Sequence, residues 1–170
     1  MNRKIRTTLA TGVLLLACGA VAQEHQHDMS QHAEHEKEMN ARGEKAMGFS
    51  QMATTHHFIL LSDGGYVQVT ANDASDNNTV EQIRRHLMDI KTKFAAGDFS
   101  APELTHGKIP PGVPAMRKLR GDIKYNVEFV DGGGRLHIAS NNAKAIAAIH
   151  DFLKFQIEDH GTGDPTATKD

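Results

Sequence analysis

From residue 54 onward, short apolar runs alternate with turn-forming residues. THHFILL, SDGG and YVQVTA follow one another, and their alternating apolar positions predict a β-hairpin closed by a glycine-containing turn. Phe58 and Leu60 are expected on one face of the first strand, with Ile59 and Leu61 on the other. IKYNVEFV, DGGG and RLHIAS predict a second hairpin, in which the odd-numbered apolar residues from 123 to 129 share a face.

Each predicted hairpin is followed by a segment with helical spacing. In the first segment, apolar residues recur every three or four positions, at Val80, Ile83, Leu87, Ile90 and Phe94. Asn78 is its predicted N-cap, and Gly97 is its predicted stop. The second segment has the same spacing at Ile146, Ile149, Leu153 and Ile157. Asn141 or Asn142 is expected to cap it, and Gly161 to end it.

The order of elements is therefore β-β-α, a connection, and β-β-α. DGGYVQVTAND…IRRHLMDI resembles DGGGRLHIASNN…IAAIHDFL, which indicates a loose internal repeat. We expect an α+β fold in which two ββα units form a four-stranded antiparallel sheet with two helices packed on one face. The open face of such a sheet would allow a homodimer. Residues 98–116 contain Pro102, Pro110, Pro111 and Pro114, and a long irregular connection is expected there.

The first 22 residues have the pattern of a secretory signal peptide, with basic residues followed by a short apolar run. Ala20-Val21-Ala22 is the predicted cleavage site for ordinary signal peptidase. LLAC, ending at Cys18, resembles a bacterial lipobox and is the alternative, in which the protein would be anchored to a membrane through lipid on Cys18. Both alternatives predict an exported, periplasmic protein.

We expect a His- and Met-rich disordered tail over 23–53, a single domain over 54–161, and a disordered C-terminal tail over 162–170. Cys18 is the only cysteine, so the domain after the signal has neither a disulfide nor a thiolate ligand. Removing residues 1–22 takes away three basic residues and no acidic one, so the net charge falls from −2 to −5. An acidic chain is not expected to bind nucleic acid.

The tail contains a dense set of soft and borderline metal ligands in EHQHDMSQHAEHEKEM. The candidate ligands are His25, His27, His32, His35, Met29 and Met39. Imidazole binds copper, zinc and nickel, and thioether adds a preference for Cu(I). The alternative interpretation is an acidic linker without a ligand.

Five histidines of the domain are candidate ligands: His56, His57, His86, His106 and His150. His56 and His57 are adjacent in a strand, so we expect them to point to opposite faces. His86 and His150 flank the apolar stripes of the two helices, and they would meet or lie in equivalent pockets if a pseudo-twofold axis relates the halves. The proline-rich connection is expected to hold His106 over the fold. The alternative is that these histidines are ordinary hydrogen-bonded boundary residues.

The segments TTHHF, ANDASDN, FAAGDFSAP, PPGVPAM and IHDFLKFQIEDH resemble a family of small exported bacterial proteins. The resemblance covers residues 48–164 and implies a compact domain. Its matching positions include His56, His57, His86, His106, His150 and His160. Some members have been labelled automatically as aspartate carbamoyltransferases, but the sequence lacks the S-T-R-T-R carbamoyl-phosphate loop of that much longer enzyme. The resemblance implies no reaction.

Three functional hypotheses remain open. The first is a periplasmic metal-binding protein that sequesters or delivers copper, or secondarily zinc. The second is a small enzyme in which a histidine-bound metal ion activates water or a substrate. The third is a structural or interaction module that dimerises through its sheet. The sequence contains no P-loop, G-x-S-x-G elbow, HExxH or CxxCH motif that would identify a reaction.

Overall fold

The computed structural model describes residues 34–169. Residues 36–170 belong to one compact unit. The predicted signal segment, Cys18, His25, His27, Met29 and His32 lie outside the described residues.

Four strands form one antiparallel sheet: β1 (Thr54–Leu61), β2 (Gly64–Ala71), β3 (Ile123–Val130) and β4 (Gly133–Ser140). Their spatial order is β1-β2-β4-β3, so the two hairpins meet along their second strands. Helices α2 (Asn77–Ala95) and α5 (Ala143–His160) pack on this sheet. Each helix packs mainly against the hairpin of the other ββα unit. Helix α2, which follows β2, packs against β3 and β4, and α5, which follows β4, packs against β1 and β2. The predicted α+β fold with two ββα units is confirmed.

Helix α2 buries its whole predicted apolar stripe, because residues three and four apart lie on the same helix face. In α5, Ile149, Leu153 and Ile157 are buried as predicted, but Ile146 is only partly buried. One predicted cap is wrong: α2 begins after Asp76, not Asn78. The Asp76 side chain accepts a hydrogen bond from the Thr79 amide, so the carboxylate satisfies a first-turn donor. Asn142 caps α5 as predicted, and Gly161 ends it in a left-handed conformation with φ 59°.

The proline-rich connection is not irregular throughout, contrary to the prediction. It contains α3 (Ser100–His106) and α4 (Val113–Lys118). Pro102 is the third residue of α3 and Pro114 the second of α4. Amides in a first helical turn have no intrahelical acceptor, so proline is tolerated there. The proline content therefore marks helix starts within this segment.

Both chain segments outside the predicted domain contact it in the described structure. Helix α1 covers residues 34–47, where a disordered tail was expected. Met39 is only 1% exposed, and Arg42 Nε donates a 3.0 Å hydrogen bond to the Thr105 carbonyl. At the other end, Asp164 and Lys169 bond to β1, where a second disordered tail was expected. These contacts order both segments through burial and hydrogen bonds to the domain. The polar composition of the two segments does not reveal such contacts.

The core lies between the sheet and the helices. It includes the completely buried side chains of Ile83, Leu87, Leu136, Ile138 and Ile149. Within residues 34–169, no helix combines the length and apolar character needed to cross a membrane.

Candidate functional site

A cavity of about 70 Å³ lies where the start of β1 faces the helices. Three imidazoles from distant parts of the sequence line it: His56 of β1, His86 of α2 and His160 at the end of α5. Met47 and Gln51 line it from the segment around the end of α1, and Gln156 lines it from α5. Much of the remaining wall is apolar, formed by Phe58, Val67, Val69, Leu87, Ile90, Phe94 and Phe152.

The pleat of β1 explains the position of His56. Residues two apart in a strand share a face, and His56 lies two positions before the buried Phe58. His57 points the other way, as predicted, and its Nδ1 lies 2.9 Å from an Asp164 carboxylate oxygen. The adjacent pair therefore supplies only one imidazole to the cavity.

The three cavity histidines are held by contacts with other rings. His160 stacks on His56 with the ring centroids 5.9 Å apart and the planes at 4°, and on Phe58 with a centroid distance of 5.5 Å. His86 meets Phe49 edge to face at 5.6 Å. These aromatic contacts fix the rings without using the nitrogen lone pairs.

Burial keeps these imidazoles uncharged at neutral pH. Desolvation lowers the pKa of His56 and His86 to about 4 and the pKa of His160 to about 3. Neighbouring imidazoles lower the pKa of His56 and His160 further. A neutral imidazole has a lone pair available to a metal ion or a hydrogen-bond donor, without competition from a proton.

His106 lies behind the cavity, not in its wall. Its side chain is 1% exposed, and its ring meets the edge of His160 at a centroid distance of 5.1 Å. Its Nδ1 lies 2.6 Å from Asp159, and its Nε2 lies 2.9 Å from Gln156 Oε1. With both nitrogens engaged by these side chains, His106 supports His160 and Gln156 sterically and through hydrogen bonds.

The remaining predicted ligands of the domain lie elsewhere. His150 Nε2 hydrogen-bonds the Leu61 carbonyl at 2.9 Å, at the opposite end of β1 from His56. His86 and His150 therefore contact different elements and do not share a pocket. In α1, Met39 is buried outside the cavity wall, and His35 is exposed.

The site predicted from sequence lacked several residues that the fold brings to it. His160 was not among the predicted ligands, although it continues the α5 stripe three positions after Ile157. The same stripe contains Gln156, which is 4% exposed. Met47 and Gln51 carried no sequence signal, because they precede the predicted domain boundary.

The ring orientations do not form a completed metal site. Across residues 34–169, no three His, Cys, Asp or Glu side chains are gathered closely enough to hold an ion. Imidazole lone pairs lie in the ring plane, so the nearly parallel planes of His56 and His160 do not direct theirs to a common point. At least one ring must turn for both to bind the same ion.

Two side chains that line the cavity also carry amide donors without a protein acceptor. Among the described residues, Gln51 Nε2 and Gln156 Nε2 are buried and have no hydrogen-bond partner. A buried donor without an acceptor is destabilising by roughly 1–3 kcal/mol. An acceptor atom inside the cavity would relieve this penalty.

No protein family, no curated protein and no solved structure matches the chain.

Proposed function

We propose that the chain is an exported, periplasmic metal-binding protein that sequesters or delivers copper(I) first and zinc second. The observation that supports this most directly is the convergence of three neutral imidazoles, His56, His86 and His160, on one largely apolar cavity. Met47 adds a thioether to the same wall. Imidazole and thioether together favour Cu(I).

The charge of the cavity favours a monovalent ion. Among the described residues that line it, none carries a carboxylate or a thiolate. A dipositive zinc ion would enter an apolar space without an anionic ligand, so burial would disfavour it more strongly. Copper(I) carries one charge and binds soft neutral ligands, so the wall suits it better.

Binding would require a local rearrangement of side chains. Rotation of the His160 or His56 ring would bring the lone pairs together, and the cavity provides space beside these rings. The hydrogen-bonded unit of His106, Gln156 and Asp159 would remain behind the rotated ring as its support. The tail histidines His25, His27, His32 and His35 would capture ions at the surface and pass them to the cavity.

The test is a competition titration of Cu(I) against a chromophoric chelator under anaerobic conditions. Each of His56→Leu, His86→Leu and His160→Leu removes a ligand while keeping an apolar side chain in the cavity. We expect each change to weaken Cu(I) binding by at least roughly tenfold, which corresponds to about 1.4 kcal/mol. His137→Gln is the matched control, because His137 pairs with Asp63 and does not line the cavity.

A second series replaces His25, His27, His32 and His35 with Gln. We expect the tight site to persist and the capacity for weakly bound ions to fall. Copper affinity that vanishes with the tail and is unchanged in all three cavity variants would contradict the proposed site.

A small metal-dependent enzyme is the second candidate. The unpaired amide donors of Gln51 and Gln156 favour it, because they would hold an oxygen atom of a bound substrate. Carbon monoxide distinguishes the candidates, because it binds Cu(I) only at an open coordination position. A C–O stretch in the infrared spectrum of the copper-loaded protein would favour the enzyme, and its absence would favour a closed carrier site.

A further inference from the structure

The two edges of the sheet differ in how they are covered. Along β1, Asp164 Oδ2 accepts a 2.9 Å hydrogen bond from the Phe58 amide. The Lys169 amide donates a 2.8 Å bond to the Leu60 carbonyl, and Lys169 forms a parallel bridge with Leu61. The C-terminal segment therefore occupies hydrogen-bonding groups that an edge strand would otherwise offer to another chain.

β3 forms the other edge. It pairs with β4 without a bulge over its full length, from Ile123 opposite Ser140 to Val130 opposite Gly133. No described strand lies on its outer side. A regular eight-residue edge of this kind can pair with another strand through its outward backbone groups.

The sequence of β3 is complementary to itself in an antiparallel arrangement. When two copies are paired about Asn126, Lys124 lies opposite Glu128 of the second copy, and the same contact forms again across the twofold axis. On the other face, Tyr125 lies opposite Val127 and Ile123 opposite Phe129. Opposite charges and apolar pairs directly across a ladder stabilise it.

The exposed side chains of β3 agree with this register. Lys124 and Glu128 are both exposed on the face away from the core, and Glu128 already binds Arg135 at 2.8 Å. A lysine from the second copy would extend this ion pair into a network. Phe129 is a large hydrophobic residue that remains 53% exposed. Pairing with Ile123 of a second copy would bury part of that surface.

We propose that two copies of the chain associate through antiparallel β3 edges, centred on Asn126, to form one continuous eight-stranded sheet. The interface is isologous, so every contact occurs twice. The histidine-lined cavity lies at β1 and β2, on the opposite half of the sheet from β3. The dimer therefore does not depend on the proposed metal site.

Cysteine cross-linking tests the register. In a Cys18→Ser background, Asn126→Cys places two thiols directly opposite each other, where the expected Cβ separation of about 4.5–5.5 Å is near the range for a disulfide. We expect a disulfide-linked dimer under mild oxidation. Ser62→Cys is the control, because Ser62 is exposed in the turn between β1 and β2, away from β3.

Light scattering coupled to size-exclusion chromatography tests the association itself. We expect the unmodified chain to be dimeric at concentrations on the order of 100 μM, and Lys124→Glu to weaken association roughly tenfold by placing like charges opposite each other twice. Lys154→Glu makes the same charge change at an exposed position of α5 and should leave association unchanged. A monomer at these concentrations would overturn the proposal, as would an Asn126→Cys variant that cross-links no faster than the Ser62→Cys variant.

Discussion

Because the cavity imidazoles are buried, the free energy of unfolding should decrease in acid. The size of that decrease tests whether these histidines are buried and neutral. In the unfolded chain His56, His86 and His160 titrate near the ordinary pKa of 6.5, whereas burial lowers the folded pKa to about 4, 4 and 3. Between these values the unfolded state binds protons that the folded state does not. The free energy of unfolding is therefore greatest above pH 6.5 and decreases as the pH falls.

The magnitude follows from the size of each shift. One pKa unit corresponds to about 1.36 kcal/mol, so the roughly 1.5 units between pH 6.5 and pH 5 amount to about 2 kcal/mol for each histidine. Three histidines together give at most about 6 kcal/mol. Small domains have a total stability of roughly 5–15 kcal/mol, so this loss would bring the metal-free protein close to unfolding.

Urea unfolding followed by circular dichroism, in the presence of a chelator, measures this dependence from pH 7.5 to 5. The slope of the unfolding free energy against pH is proportional to the number of protons taken up on unfolding. His86→Gln should lower that number by about one. Met88→Leu changes an exposed neighbour on the same helix and should retain the slope of the unmodified chain. The contrary result is that His86→Gln leaves both the pH dependence of the unfolding free energy and its dependence on urea concentration unchanged. That result would refute the assignment of a buried neutral imidazole at position 86.

Three further substitutions test the structure around the site. Gly112→Ala should destabilise the protein by more than about 1 kcal/mol in urea unfolding, because Gly112 has φ 81° and an added Cβ would collide with the Ala148 carbonyl. Asp164→Ala should accelerate hydrogen exchange at the Phe58 amide, because that amide loses its acceptor, whereas a protected amide would show that another group holds the edge. Asp76→Ala should lower stability by about 1 kcal/mol through loss of the α2 cap, and no loss would contradict the capping geometry.

The strands and long helices could be predicted because the pattern of apolar residues within each segment is sufficient to identify it. Alternation from Tyr66 to Ala71 identifies a strand and its faces, and the spacing from Val80 to Phe94 identifies a helix without reference to the rest of the chain. The repeat of ββα units then limits the number of possible folds. Short helices were missed in the proline-rich connection, because Pro102 and Pro114 occupy the first turns, where proline and helix are compatible.

The site could be predicted only in part, because it is assembled from distant segments. His56 and His86 were candidates as single residues, but their convergence depends on packing between β1 and α2. Met47 and Gln51 precede the predicted domain, and nothing in their neighbourhood shows that they line a cavity. His160 follows the α5 stripe, and reading that stripe through to its last turn would have found it.

The proposed function requires the chain to hold copper(I) among the cavity imidazoles His56, His86 and His160. Anomalous diffraction at the copper absorption edge, from crystals of the Cu(I)-loaded protein, locates the ion directly. The proposal expects a single dominant peak within bonding distance of ring nitrogens from at least two of His56, His86 and His160. A peak only on surface or tail histidines, with the His56 and His160 rings still stacked on each other, would contradict it.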